Sequence, residues 1–534
     1  MRRVPEHEPP LRQGFRDARI RSLERALFFT LACHLAAMLA MAVLLLPGMP
    51  GGGSADGVAR AVYVATHPWL WRLGWLPWQI TAASDLWVGV ALVRWSGAPR
   101  AWSWAALVLT AIAVVPDQLA QAIWVTEGIE LAERAAAAGD VAPYLALEAR
   151  IFPLMAGWGG LFYTLGAIAW SFAFAGARTW SRALGGISIV AWSVFLGVSV
   201  APIVPPALRP APTIIAAGNA LGFALLTAWL ELVTEHVLRI SRPFGTHGRS
   251  APWRHPGSGL RARALEALAN SRFLRAVCEP LPVPAFRSDI TDVVFVNYLV
   301  PAGRLQRLVP EGLELQRLGP EGAFSLFTIL TYRHGHFGPR LLGPLRRLLP
   351  SPVQSNWRIY VRDPASGKAG IHFVTTAIGL SANALGARCI AEGLPMHVPE
   401  RASVERDADG TLRVVLVPGS GSAPDVDAVL RPSTARDLPA PWSECFASYR
   451  DLLAYDVPQD RALSTQPWRR TVTRQEIDLG IPLDACEPLE GEVRSRAAEA
   501  IVGDARPLCF RVAKVGFLFA EERRSPMAPC PPER

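Results

Sequence analysis

The sequence predicts a two-part protein, a bundle of six α-helical membrane spans followed by a mainly antiparallel β domain with a few short helices. Three observations predict it. Six apolar runs, each long enough to cross a bilayer, fill the chain up to about residue 240. Arginines gather in alternate gaps between those runs. Beyond residue 285 the pattern changes to short, turn-bounded segments rich in β-branched and aromatic residues. The overall 51% hydrophobic content and mean hydropathy of +0.22 are high for a soluble protein of 534 residues.

A helix needs about 20 apolar residues to span the hydrocarbon core. The qualifying segments are 26–47, 74–94, 101–124, 151–175, 183–204 and 211–238. The second has the lowest hydropathy because it holds Gln79, Thr81, Ser84 and Asp85. Its approach, HPWLWRLGWLPW, supplies Trp69, Trp71, Trp75 and Trp78, a density that suits the membrane–water interface. The small-residue stretches GWGGLFYTLG (157–166) and GGISIVAWSVFLG (185–197) fit close helix packing.

Orientation follows from the arginines. Arg2, Arg3, Arg12, Arg16, Arg19, Arg21 and Arg25 precede the first span, in a basic tail over residues 1–25. Arg94 and Arg100 follow the second span, Arg178 and Arg182 the fourth, and Arg239, Arg242, Arg249 and Arg254 the sixth. The intervening segment 127–148 instead carries Glu127, Glu130, Glu133, Asp140 and Glu148. The positive-inside rule therefore expects a multi-pass plasma-membrane protein with both termini in the cytoplasm. The same placement accounts for the formal charge of +9 without nucleic acid as a partner. No cleavable signal peptide is expected. Seven cysteines lack metal-like spacing, and those after the sixth span face a reducing compartment, so disulfides are not expected.

Ionisable residues inside the spans are functional candidates because each is costly to bury in lipid. They are His34, Asp85, Asp117 and Glu231. One reading is a His34–Glu231 pair or an Asp85-based polar site serving proton or small-solute movement. The other is interhelical hydrogen bonding that locks the bundle.

Residues 239–285 read as a linker rich in Arg, Pro, Gly and Ser, with one amphipathic helix near 258–277 suited to an anionic membrane face. The β domain covers 286–525, and 526–534 reads as a disordered tail. Its strands are DVVFVNYLV, FSLFTILTYRH, NWRIYVR, IHFVTTAIGL, TLRVVLVPG, RTVTRQEIDL and CFRVAKVGFLFAEE. Helices are expected in PAGRLQRLVP, ANALGARCIAEG and WSECFASYRDLLAY.

Two of these stretches carry a resemblance. VNYLVPAGRLQRLVPEGLEL is similar to the opening of the uncharacterised family 2071, a domain of unknown function. NWRIYVRDPASGKAGIHFVTTAIGLSANALGARCIAEGLPMHV resembles that family's central strand, its hairpin and its Ala-Arg helix ending in Leu-Pro. The resemblance is close over 290–400, looser over 400–525, and absent from the membrane half. It implies the acetoacetate-decarboxylase-like fold, a β cone or barrel with an internal pocket, and no established reaction.

The best-known enzyme of that superfamily works through a lysine Schiff base, and this chain has only two lysines, Lys368 and Lys514. Schiff-base chemistry needs an amine whose pKa is depressed. Lys368 lies in DPASGKAG, a turn in which Pro presets φ and Gly takes a positive one, so it is expected at a solvated hairpin tip. Lys514 alternates with Phe510 and Val512 and shares their face, which makes it a weak catalytic candidate. Asn356, Arg358 and Tyr360 also alternate; inside a cone, Arg358 and Tyr360 would suit a carboxylate-like ligand. His334 and His336 share a strand face at i, i+2, but no third ligand is identifiable, so no metal is expected. Arg388 matches the family's Ala-Arg position and would line the pocket or cap the structure.

The leading expectation is a non-catalytic cone that binds a small anionic or apolar metabolite, with no cofactor and with the lipid bilayer as its other partner. A rival is a decarboxylase-like or hydrolytic enzyme using Arg358, Tyr360 and Lys514 or a histidine. A third is a transporter regulated by the cone.

Overall fold

The structure, a computed structural model, describes residues 10–50, 56–176, 180–242, 252–391, 393–458 and 460–527. Arg2, Arg3, Arg178, Arg249, Cys530 and the tail from 528 onward lie outside the described residues. The chain divides into two compact units, Met1–Pro243 and Phe244–Arg534.

Among its described residues the first unit holds six helices long and apolar enough to cross a membrane. They run Ala18–Gly48, Pro68–Arg94, Arg100–Ala138, Ala142–Ala175, Arg182–Val200 and Pro212–Ser241. The order and number follow the apolar runs. The acidic segment 127–148 differs from expectation, since most of it is helical and extends the third and fourth spans. Gly139, at φ +75°, ends the first of these extensions in the left-handed conformation that glycine adopts without strain. Glu148, read as an outer-loop charge, instead makes a buried ion pair with Arg60 at 2.6 Å.

The tryptophans at the head of the second span divide between two roles. Trp69 is 76% exposed, as an interfacial residue should be. Trp71 and Trp75 are buried and pack against Trp124, with ring centroids 5.8 and 5.3 Å away. Elsewhere indole N–H groups tie helices together: Trp192 donates to Ser171 and Trp229 to Ser188, each at 2.8 Å. Two spans contain π-helical turns, Met41–Leu45 in the first and Pro153–Gly159 in the fourth. Such turns widen the helix and recur at functional sites.

The second unit is built on one 14-stranded sheet. Its strands are β1 (Phe286–Pro301), β2 (Glu314–Leu315), β3 (Phe324–Arg333), β4 (Gly338–Pro339), β5 (Val353–Arg362), β6 (Ala369–Ile378), β7 (Met396–His397), β8 (Arg401–Arg406), β9 (Leu412–Val417), β10 (Val426–Pro432), β11 (Arg461–Gln466), β12 (Thr471–Asp478), β13 (Glu487–Arg494) and β14 (Pro507–Pro526). Pairing runs β1–β3–β5–β6–β11–β12–β14 and returns to β1. Six joints of this circuit are antiparallel ladders; the seventh, β6–β11, is a single parallel pair, Ala462 with Ile371. From β14 the order continues β13–β10–β9–β8 as a second layer.

Two cores result. Phe295, Leu330, Tyr360, Phe373, Phe510 and Phe519 belong to the core inside the circuit. Trp357, Ile359 and Val361 belong to another, packed with Val414, Leu416 and Leu430 of the second layer. Both faces of β5 are therefore buried, and neither is the solvated outer face that an edge strand would have.

Residues 252–285 belong to this unit rather than forming an independent linker. Trp253 and Ala269 pack with Ile378, Ala384, Met396 and Val398. The one helix expected over 258–277 is two, Leu260–Ala269 and Arg272–Cys278, because the Ser271 hydroxyl accepts the Leu274 N–H and caps the second. Arg272 and Arg275 turn inward and are buried, so they offer nothing to a lipid surface, whereas Arg261 and Arg263 are exposed.

Candidate functional site

Alternation along β5 aims Gln354, Asn356, Arg358 and Tyr360 into the circuit, on the face opposite Trp357 and Ile359. Arg358 is 2% exposed. One guanidinium nitrogen donates to Asp456 Oδ1 at 3.1 Å, and the cation stands 5.6 Å from the Phe295 ring and 5.5 Å from that of Tyr360. The Tyr360 hydroxyl donates to the same Asp456 oxygen. Thr328 lies 2.9 Å from the Tyr360 hydroxyl and donates to Asn297 at 2.7 Å. Burial raises the Asp456 carboxyl above its ordinary pKa, and Arg358 and Tyr360 pull it back. The expected carboxylate-binding guanidinium thus already has a carboxylate partner.

Asp456 ends the helix Tyr449–Asp456, whose first turn is capped by Ser448. Sequence reasoning missed it. The only signal was a charged residue closing the amphipathic stretch YRDLLAYD.

A second polar chain runs along the same wall. His334 is buried; its Nδ1 is 2.9 Å from Ser288 Oγ, and its Nε2 is 2.8 Å from Gln354 Oε1. Gln354 donates to Asn356 at 2.8 Å, and Asn356 donates to the Tyr332 hydroxyl at 3.1 Å. With the amides in this orientation, His334 carries its proton on Nε2, and the Tyr332 hydroxyl hydrogen is left over. Burial lowers the His334 pKa to about 4, against the Gln354 hydrogen bond.

Four of these polar groups border a cavity of about 40 Å³, room for a few waters or the head of a small molecule. Gln354, Asn356, Arg358 and Tyr332 form its polar wall, and apolar side chains such as Ile290, Phe373, Ile477 and Phe519 make up the rest.

The remaining candidates lie elsewhere. Lys368 is exposed in its hairpin, as its turn residues require. Lys514 is exposed too, although it alternates with buried Phe510 and Val512. The pairing of β1 with β3 slips between Thr291 and Val294, with Asp292 at φ +49°. Past this bulge Val515 and Phe519 are the buried residues of β14, so the inward phase has moved by one residue. His336 departs from His334 because the chain leaves β3 at Arg333 and places His336, exposed, at φ +54°. The two imidazoles do not form the pair that i, i+2 spacing suggests. Arg388 clamps the end of the helix Leu260–Ala269, donating to Ala269 O at 3.1 Å and to Asn270 Oδ1 at 3.4 Å.

Three of the four intramembrane residues meet at one cavity of about 470 Å³ in the first unit: His34, Asp85 and Asp117. His34 Nε2 is 3.9 Å from Asp85 Oδ2, while its Nδ1–H donates to the Thr30 carbonyl at 2.9 Å. Asp117 accepts from Gln118, Gln121 and Tyr163 at 3.1, 3.0 and 3.3 Å. Glu231 is exposed on its helix, so the acid beside His34 is Asp85 and not Glu231. Both π-helical segments reach this cavity, through Met41 and Ala42 on one side and Met155 and Ala156 on the other.

With this geometry in hand, comparison with known proteins bears on the cone. Residues 287–439 match family 2071, an uncharacterized conserved protein. The family 2071 match starts one residue into β1 and ends before the helix that supplies Asp456. No curated protein matches the chain. Among solved structures, the chain is similar to an acetoacetate decarboxylase-like enzyme from Sphingomonas wittichii RW1, at 9% identity and a TM-score of 0.33, over 46% of this chain and 94% of that one. It is also similar to the enduracididine biosynthesis enzyme MppR with HEPES bound, at 15% identity and TM-score 0.32. The MppR complex with pyruvate gives 16% and 0.31, and each MppR match covers 46% of this chain and 90% of that one.

Proposed function

We propose that this is a multi-pass plasma-membrane protein, both termini cytoplasmic, whose family 2071 cone binds a small and largely apolar molecule bearing one hydrogen-bond acceptor. One observation carries the choice of ligand: the Arg358 charge is met by Asp456 inside the domain, at 3.1 Å. An anionic ligand would have to displace Asp456 or leave three buried charges where two are balanced, and unbalanced buried charge is costly. A neutral acceptor needs only the spare Tyr332 hydroxyl hydrogen and the apolar wall.

Both lysines of the chain are exposed, which supports a binding role over Schiff-base chemistry. The arginines flanking the spans support the orientation.

The test is calorimetric titration of the full-length protein in nanodiscs with 2-pentanone and with pentanoate. The ketone should bind, and Tyr332→Phe should weaken it about tenfold, the worth of one hydrogen bond. Tighter binding of pentanoate, lost in Arg358→Met, would replace this reading with an anion site.

A further inference from the structure

The geometry points to a second ligand site, independent of the cone: the cavity within the six-helix bundle is a binding site for an organic cation, a substituted ammonium with an apolar body.

The cavity presents two carboxylates, Asp85 and Asp117, and no arginine or lysine among the described residues that line it. The one basic group there is His34, whose Nδ1–H is spent on the Thr30 carbonyl. A neutral imidazole so fixed turns its Nε2 lone pair toward Asp85, so it offers that carboxylate nothing; only the imidazolium would attract it. Two acids are thus faced by one positive charge at most.

Among the described residues, two acceptors in the cavity wall have no partner. Asp85 Oδ1 accepts no hydrogen bond, and neither does Gln121 Oε1, in a side chain that is 1% exposed and whose amide nitrogen is already given to Asp117. Buried acceptors without donors are destabilising and rare. A ligand with N–H groups would satisfy both, and its positive charge would be drawn to Asp85.

The rest of the wall selects the ligand further. Trp75, Trp78, Trp170, Trp192, Phe195 and Phe223 all line the cavity. Aromatic faces attract cations through the ring quadrupole, most strongly where water is excluded, and they shelter an apolar body at the same time. A hydrated inorganic ion would leave these rings unused, and a neutral solute would leave the carboxylates unmet. The volume of about 470 Å³ lies within the range of small-molecule sites.

The experiment is isothermal titration of the full-length protein, in nanodiscs of zwitterionic lipid, with N,N-dimethylbenzylammonium, which keeps one N–H, and with N,N-dimethylbenzamide, an uncharged molecule of similar size. The expected result is saturable binding of the cation at least tenfold tighter than the amide, and a loss of at least tenfold in cation affinity in Asp85→Asn with the amide unchanged. Equal affinity for the two probes in the unaltered protein, or no saturable cation binding, would overturn the proposal. That comparison needs no variant, so it stands even if Asp85→Asn does not fold. Undiminished cation affinity in a folded Asp85→Asn would also overturn it. A ketone site in the cone that fails its own test leaves this result untouched, because the cation titration reads Asp85.

Discussion

Arg358 and Asp456, 98 positions apart in the chain, meet inside the cone at 3.1 Å with both side chains almost wholly buried. The pair fixes the end of the helix Tyr449–Asp456 against β5. It also makes the polar wall electrically neutral.

Removing one member should cost far more than removing both. Asp456→Ala leaves an uncompensated buried guanidinium and should destabilise the protein by about 3–5 kcal/mol. Arg358→Met combined with Asp456→Leu should lose much less. Denaturant unfolding of the full-length protein in detergent, followed by the fluorescence of cone tryptophans, gives the comparison. Equal losses in the single and double variants would mean that the pair is not electrostatically coupled.

His334 makes a prediction about pH. Its pKa is lowered by burial to about 4 in the folded protein, whereas an unfolded chain titrates near 6.5. Between those values the unfolded state binds the extra proton. Stability from this residue is therefore complete above about pH 6.5 and is lost as pH falls toward 4, about 3 kcal/mol in total. His334→Gln should flatten that part of the stability profile. An unchanged slope in the variant would show that the imidazole titrates freely.

Lys514 should be dispensable. Its substitution by Ala should shift stability by no more than about 0.5 kcal/mol, as for other surface positions. Borohydride treatment with a carbonyl compound should give no Lys514 adduct dependent on the fold. Stoichiometric trapping at Lys514 would restore the enzyme reading.

Gly166 lets two spans approach closely. A Cβ there would lie 3.0 Å from Thr110 Oγ1 and 3.4 Å from the Thr110 backbone nitrogen. Gly166→Leu should push the helices apart and cost about 1–3 kcal/mol, read as a lowered midpoint of thermal aggregation in detergent. Wild-type behaviour would mean that the bundle yields there at no cost.

What the sequence reveals and hides follows from the range of each interaction. Hydropathy is a local property, so all six spans were legible. Strict alternation placed Asn356, Arg358 and Tyr360 on one face because β5 carries them without interruption. The same rule failed for Lys514, where a bulge near Asp292 shifts the phase, and for His336, where the strand has ended. The strands β8, β10 and β13 were missed because their charged residues and prolines dilute the apolar signal, and β11 because Ser464, Thr465 and Gln466 do. Asp456 and the Asp85 neighbour of His34 were hidden for another reason. Each is brought in by a separate element, and spacing along the chain does not encode such meetings.

The strand circuit has one further consequence. A ring made of long ladders and one single-pair joint behaves as a bracelet with a clasp. At that joint, between β6 and β11, the His372 imidazole N–H reaches the Leu463 carbonyl at 2.9 Å, a side chain standing in for the missing backbone rungs. Opening there breaks the fewest backbone bonds of the circuit, so local opening should begin at this seam. Deuterium should enter the amides flanking the clasp first, and fastening it with a crosslink should slow that exchange.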